Sequence, residues 1–352
     1  MKNILKSCLV IIGTMIGAGF ASGQEIILFF SQYGNIGLIG MIISCIITGI
    51  IIYKVLSFSS DKKIQNYAEF LNTLPMSLVT KKIVNMMITI FLLISFYIMI
   101  AGFCSYFWQE FEVPLWITGI GIAIICYIIF KNDIKGIISI NTILIPFLIL
   151  FIFYLGIKNI PFTAEYLMQN MSPIERPIQC FISSILYASY NSILLIPILI
   201  ELQKYMKTKN MIKKTSIICS GIFTILGICL YCLLLRGGGY ILELELPILQ
   251  IVKEFGVVYY WIYGIVILAA ILTTTISAGY GFLKNISKSK KKYNFAVLIL
   301  CISSIFITPI GFSNLVNWCY PIFGVLGLIQ LFFLFFKNDK IKFSNKKYLY
   351  TL

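Results

Sequence analysis

Ten apolar stretches, each about as long as a helix that crosses a lipid bilayer, dominate this 352-residue sequence. A hydrocarbon core of ~30 Å takes about 20 helical residues at roughly 1.5 Å rise each. Runs of that kind occupy 4–30, 35–57, 83–108, 114–130, 137–156, 177–202, 215–235, 257–283, 293–310 and 315–336. No water reaches backbone groups inside a bilayer, so such runs satisfy their own hydrogen bonds as helices. The pattern predicts an all-α integral membrane protein with ten transmembrane helices. Only 12 % of the residues are charged, against roughly 25 % in a soluble domain. A soluble enzyme, a nucleic-acid binder and a secreted disulfide scaffold are excluded together.

The net charge of +15 reports orientation, because Lys and Arg cluster in the short connections between runs. With the N-terminus inside, 24 of the 28 basic residues fall in cytoplasmic segments, and only Lys158, Arg176, Arg236 and Lys253 fall outside. A miscounted span would invert the later loops and destroy that asymmetry. Both termini are therefore expected in the cytoplasm of a multi-pass cell-membrane protein, with the bilayer as its standing partner. Lys2 and Lys6 before an apolar core imitate a secretory signal. The apolar character runs on to Phe30, so this reads as an uncleaved first helix. Asp61 to Lys82 has Ile64, Tyr67, Phe70 and Leu71 at helical spacing, an amphipathic segment lying on the cytoplasmic face or packing over helix ends. Arg236 to Gly256 reads as a short re-entrant or surface helix. The basic tail, 337–352, suits anionic lipid.

The sequence has no histidine, which removes the commonest metal ligand and general base. Cys45, Cys126, Cys180, Cys219, Cys229 and Cys301 lie inside apolar runs and read as small packing residues. Neither a transition-metal site nor an intramembrane enzyme is indicated. No phosphate-binding loop of the GxxxxGK[ST] type appears either.

The first span departs from this uniform pattern. Between Gly13 and Gly23, seven of eleven residues are Gly, Ala or Ser. Each glycine costs a helix interior about 1 kcal/mol relative to alanine, so the run favours unwinding near Gly17 to Ala21. Ser22-x-x-Glu25 then has the spacing of a capping box that restarts a second half-helix. A close-packing glycine face is the plainer alternative. In the sixth span, Ser183 to Ser192 forms a polar island followed by Pro197. It reads either as a second break or as a polar interhelical contact. Two interrupted segments in equivalent places of two halves point to an inverted-repeat transporter.

The segment from Ile11 to Glu25, with its Gly-x-Met-Ile-Gly-x-Gly-Phe-Ala-Ser-Gly-Gln-Glu run, resembles the YkvI-like amino-acid permeases of the APC superfamily. The resemblance implies a LeuT-like fold of 5 + 5 inverted helices. The first repeat would span 1–156, the second 157–336, and the basic tail 337–352. Substrate would sit where helices 1 and 6 unwind, and spans 1, 2, 6 and 7 would rock against the remainder. Transport of an amino acid or similar small zwitterion is the implied function. A nutrient receptor that binds without transporting is the alternative.

A substrate carboxylate would meet the amides of Gly17, Ala18, Gly19, Phe20, Ala21 and Ser22. Its ammonium would meet Ala188, Ser189, Tyr190 and Asn191, and Tyr97 in the third span is a further candidate. For coupling, the pattern Ala270-x-x-Thr273-Thr274 matches the helix 8 half of a sodium site in the resembled fold. Carbonyls of Gly13 and Ile16 would complete it, and oxygen ligands suit this hard cation. The hydroxyls otherwise bond back to their own helix. Proton-coupled relatives place a lysine there from span 5, which has none between 137 and 156. Gln24 and Glu25 are assigned to capping or gating, Glu25 being an acid set inside the span.

This topology predicts that a fluorescent protein fused after Leu352 is fluorescent, and that alkaline phosphatase inserted after Lys158 is active. An inactive phosphatase with the fusion dark would show the reverse orientation.

Overall fold

The computed structural model describes residues 2–131, 135–169, 176–206, 208–287 and 289–335. The basic tail lies outside them. All regular structure among them is helical. In chain order the α-helices are α1 (Lys2–Met15), α2 (Ala18–Ser22), α3 (Gln24–Phe29), α4 (Asn35–Lys62), α5 (Tyr67–Thr73), α6 (Leu78–Phe111), α7 (Leu115–Lys131) and α8 (Lys135–Lys158). They continue with α9 (Ile160–Gln169), α10 (Pro177–Leu202), α11 (Lys209–Leu234), α12 (Pro247–Lys253), α13 (Val257–Ile286), α14 (Lys290–Ile307) and α15 (Phe312–Phe335).

Among the described residues seven helical segments are long and apolar enough to cross a membrane, those built on α4, α6, α10, α11, α13, α14 and α15. Three shorter apolar helices, Ile4–Met15, Leu115–Lys131 and Leu144–Lys158, accompany them. The long helices turn large apolar side chains such as Ile46, Ile265, Phe306 and Trp318 outward. A water-facing surface does not tolerate a continuous coat of that kind. The molecule is a multi-pass membrane protein.

Local sequence sets where helices start. Ser77, Thr208 and Ser289 each accept a hydrogen bond from the amide three residues on, opening α6, α11 and α14. Such caps satisfy amides that the first helical turn leaves free. Asn66 and Glu69 cap α5 reciprocally, Asn66 Oδ1 accepting from Glu69 N and Glu69 Oε2 from Gln65 N. Ile64, Phe70 and Leu71 are buried, and Gln330 of α15 donates to the Tyr67 hydroxyl at 2.7 Å. The amphipathic face of this segment therefore turns inward and packs over helix ends.

The packing is dominated by α6 against α13, and by α10, which lies between α4 and α15. α11 packs along α4 and α8, while α7 pairs with α14. Cys229 and Cys232 stand at Cys-x-x-Cys spacing along α11, and both are free thiols. Residues 235–243 form a 3₁₀ segment that leads into α12, whose Pro247, Ile248, Leu249, Ile251 and Val252 are buried.

The structure corrects the expected break in the sixth span. α10 runs without interruption from Pro177 to Leu202. Its polar side chains close on the helix itself: Ser184 on the Cys180 carbonyl, Ser189 on Ile185, Asn191 on Tyr187 and Ser192 on Ser189. Polar groups satisfied within one helix give its backbone no reason to open. The island instead provides interhelical contacts. Ser183 donates to the Phe29 carbonyl at 2.6 Å, and Gly324 and Gly327 let α15 approach the carbonyls of Leu186 and Ser189 closely.

A methyl group on Gly327 would collide with the Ser189 backbone. Gly327→Ala is expected to destabilise the protein by about 1–3 kcal/mol, read as a lower melting temperature in detergent. Gly121→Ala, which meets open space, should not lower it.

Candidate functional site

The first span is interrupted twice. α1 closes with Ile16 N donating to the Ile12 carbonyl at 2.8 Å. Gly17 is then extended (φ −85°, ψ −178°), and α2 begins at Ala18. Extended backbone at Gly17 carries the following amides away from the end of α1. The carbonyls of Gly13, Thr14, Met15 and Ile16 consequently receive no backbone amide among the described residues, the usual state of a helix C-terminus. The second interruption is Gly23, left-handed at φ +91°, which joins α2 to α3. A side chain there would be strained and would also press on Ile248 of α12.

One carbonyl of the joint is covered from a distant helix, and the joint's own Gln24 reaches out to other segments. Tyr263 of α13 donates its hydroxyl to the Ala21 carbonyl. Gln24 Nε2 donates to the Leu244 carbonyl and to Ser313 Oγ, both at 2.6 Å, and to the Glu245 carbonyl at 3.2 Å. Phe20 stacks on Phe223 of α11 with ring centroids 5.1 Å apart. Such a pair adds about 0.5–1.5 kcal/mol beyond its buried area.

Capping is not what Ser22 and Glu25 do. Ser22 Oγ donates to the Gly19 carbonyl at 2.9 Å and accepts from Gln24 N at 3.3 Å, while Gly23 supplies the joint. The Glu25 carboxylate faces α10, where Oε2 accepts from Tyr187 at 3.0 Å and Oε1 from Tyr190 at 3.3 Å. Glu25 is only 3 % exposed. Tyr190 in turn stacks on Tyr320 of α15 with centroids 4.4 Å apart. Gln24 acts as a strap to the segment before α12 and to the start of α15.

The five residues named for an ion converge. Gly13, Ile16, Ala270, Thr273 and Thr274 line one cavity of about 30 Å³ together with Leu144, Ile145 and Leu148. A cavity needs roughly 10–15 Å³ of such space to hold one water molecule, so this one has room for a small hydrated group. Thr273 Oγ1 donates to the carbonyls of Ala269 at 2.9 Å and Ala270 at 3.1 Å, and Thr274 Oγ1 to Ala270 at 2.8 Å. The hydroxyl protons thus point back into α13, and each oxygen keeps acceptor capacity.

The residues named for substrate separate into groups. Gly17 to Ser22 form the joint itself, and Tyr190 reaches it through Glu25. Ala188, Ser189 and Asn191 stay within the intact α10. Tyr97 lies elsewhere, its hydroxyl 2.8 Å from Ser303 Oγ of α14, beside an apolar cluster around Phe96, Cys126 and Leu300. Sequence reasoning missed Tyr187, Tyr263, Ser313 and Tyr320. The available signal was the spacing of Tyr187 and Tyr190, three apart on one helical face, opposite an acid in another span.

No family model matches this chain. The uncharacterized protein YyaD of Bacillus subtilis (strain 168) is 30 % identical over 337 residues, covering 93 % of this chain and 94 % of YyaD. The chain belongs to the YyaD family. The uncharacterized membrane protein YkvI of the same organism is 26 % identical over 328 residues, 91 % of each chain. Among solved structures, a Na⁺-coupled sialic acid symporter in a substrate-bound outward-open state matches with a TM-score of 0.54 at 15 % identity. The match covers 93 % of this chain and 75 % of the symporter. The Eremococcus coleocola manganese transporter matches with a TM-score of 0.56 at 12 % identity, over 93 % and 77 % of the two chains. These likenesses place the YyaD-family chain in the fold of membrane transporters.

Removing the Tyr263 hydroxyl leaves the buried Ala21 carbonyl without its donor. Tyr263→Phe is expected to cost about 1–3 kcal/mol of stability, measured by thermal unfolding, with faster hydrogen exchange in peptides spanning 17–24.

Proposed function

We propose that this chain is a secondary transporter of an amino acid or similar small zwitterion, coupled to an ion, with sodium favoured over the proton. The observation that carries this reading is the first interruption. It leaves the carbonyls of Gly13 and Ile16 without backbone amides, and these two residues line one cavity of about 30 Å³ with Thr273 and Thr274. The donor set is neutral oxygen, which suits a hard monovalent cation. Among the described residues no three His, Cys, Asp or Glu side chains gather to hold a metal ion, so a transition metal fits this chain less well as cargo.

Counting α1 to α3 as one broken span, and α7 and α8 as two more, brings the membrane crossings to ten. On that count four of the five pairs of spans five apart are in contact, α1 with α10, α4 with α11, α6 with α13 and α7 with α14, beside equally extensive packing of α10 on α4 and α15. Such pairing supports a 5 + 5 inverted repeat, in which each span meets its counterpart across the pseudo-twofold axis. Ten crossings would put both termini on one side, and the basic connections make that side the cytoplasm; the proposed boundary at 156/157 falls in the last turn of α8.

In this reading Gly17 and Gly23 are the joints about which α2 moves. A sodium ion held there would tie α1 to α13, and so would bind one arrangement of the bundle better than another. Differential binding of that kind is what lets a ligand shift a conformational equilibrium. Substrate would occupy the space beside α2, its carboxylate toward the amides of Ala18 to Phe20. None of those amides has a backbone partner among the described residues.

Thermal stability of the purified protein, screened against amino acids in sodium and in potassium at equal ionic strength, tests the proposal. A ligand at about 100 times its dissociation constant stabilises by roughly 2.7 kcal/mol when it binds only the folded state. Stabilisation by one amino-acid class in sodium alone, lost in Thr274→Ala, is the expected result. Equal stabilisation in both salts would remove the sodium site. Binding without uptake into proteoliposomes would make the protein a receptor.

A further inference from the structure

Glu25 has no task in a sodium-and-zwitterion cycle, yet three helices converge on it. Its carboxylate takes the Tyr187 hydroxyl on Oε2 at 3.0 Å and the Tyr190 hydroxyl on Oε1 at 3.3 Å. A methyl group on Gly19 would lie 2.5 Å from Glu25 Oε1 and 3.1 Å from the Tyr320 hydroxyl. Glu25 and Tyr320 therefore press together on the backbone of α2. Rings close the remaining sides: Phe29 lies 5.1 Å from Tyr187, and Tyr190 lies 4.4 Å from Tyr320. The cluster ties α3 to α10 and α15, directly after the flexible joint at Gly23.

The groups facing this carboxylate are all phenols and thiols. α10 supplies Tyr187 and Tyr190, and α15 supplies Tyr320 with Cys319 beside it. Cys45 of α4 stands behind Tyr187. On α11, Tyr231 is engaged by the Gly34 carbonyl; Tyr33 follows in the turn after α3, and Tyr263 of α13 is bound to Ala21. Among the described residues no lysine or arginine pairs with Glu25. A buried carboxylate usually has a cation, a metal or a proton to answer its charge. The rings and the Gly19 backbone stand too close to admit an organic ammonium, whereas a proton needs no volume.

We propose that Glu25 is a proton-binding site whose occupancy sets whether α3 is latched to α10 and α15, making the proton a second ion that acts on the cycle. The site rests on the reading of this chain as a transporter only for the word cycle; proton binding and the latch stand without it. A proton from water forms an O–H bond on Glu25 Oε1, and that oxygen stops accepting from Tyr190. The Tyr190 hydroxyl is then released from Glu25, its ring still stacked on Tyr320 with centroids 4.4 Å apart. No bond to carbon changes and nothing is oxidised. Ionised, the carboxylate holds two phenols of α10; protonated, it holds one, and α3 is freer to swing about Gly23. The ion cavity at Gly13 and Ile16 precedes the joint and Glu25 follows it, so the two sites load separately.

Infrared difference spectra of the purified protein in lipid nanodiscs, stepped from about pH 5 to about pH 9 around the ordinary carboxyl and phenol ranges, test the proposal with the proton itself as probe. The wild type should show a protonated-carboxyl C=O band that disappears with rising pH and is missing in Glu25→Gln. Tyr190→Phe should keep the band and move its midpoint by about one pH unit, tenfold in proton affinity. Hydrogen exchange of peptides spanning 17–30, corrected for intrinsic rates, should change at the same midpoint in the wild type and not in Glu25→Gln. A flat wild-type-minus-Glu25→Gln spectrum would overturn proton binding. Identical pH-dependent exchange in both proteins would overturn the latch. Should Glu25→Gln fail to fold, the midpoint shift in Tyr190→Phe carries the test, and an unshifted midpoint rejects the site. No amino acid enters these measurements, so their failure is distinct from failure of the transport reading.

Discussion

Unpaired backbone inside a membrane governs this architecture. The first span abandons its hydrogen-bond ladder at Gly17 and again at Gly23, where no water can replace the lost partners. Long-range bonds gather around this span: Tyr263 donates to the Ala21 carbonyl between the breaks, Ser183 and Tyr231 donate to the Phe29 and Gly34 carbonyls at and beyond the end of α3, and Gln24 of the span itself donates outward to Leu244 and Glu245. Each bond crosses from one helix to another, so covering the break also fixes how the bundle is assembled.

Most of the helical plan was legible because its cause is local. Apolar length, basic connections and Ser or Thr caps are written in consecutive residues, and the long helices follow them. The broken first span was legible for the same reason, since four glycines within eleven residues weaken any helix. The ion-cavity residues were reachable only through a family pattern, because Gly13 and Thr273 are 260 positions apart and nothing in either segment names the other.

The misreadings are instructive in the same terms. Ser183 to Ser192 has the polarity of a break without its glycines, and Ser and Asn can close on their own helix as readily as cap a new one. Polarity alone does not open a helix; loss of the Cβ atom does more. Ser22 and Glu25 had the spacing of a capping box, but capping needs the Ser to stand at the helix start, and the left-handed Gly23 takes that place. Glu25 is thereby released toward Tyr187 and Tyr190. Tyr97 was placed by depth in the membrane, and depth says nothing about which side of α6 a residue occupies.

The close approach of α15 to α10 bears on how such a bundle can move. Where Gly324 and Gly327 set α15 against the Leu186 and Ser189 carbonyls of α10, the two glycines put no side chain of their own between the helices. Two rods joined backbone to backbone travel as a single stiff plank. α15 is thereby tied to α10, so the expected rocking of the sixth span against a resting tenth would first have to open this contact. The hinge line is then drawn by the thinnest contact in the bundle, before any ligand arrives.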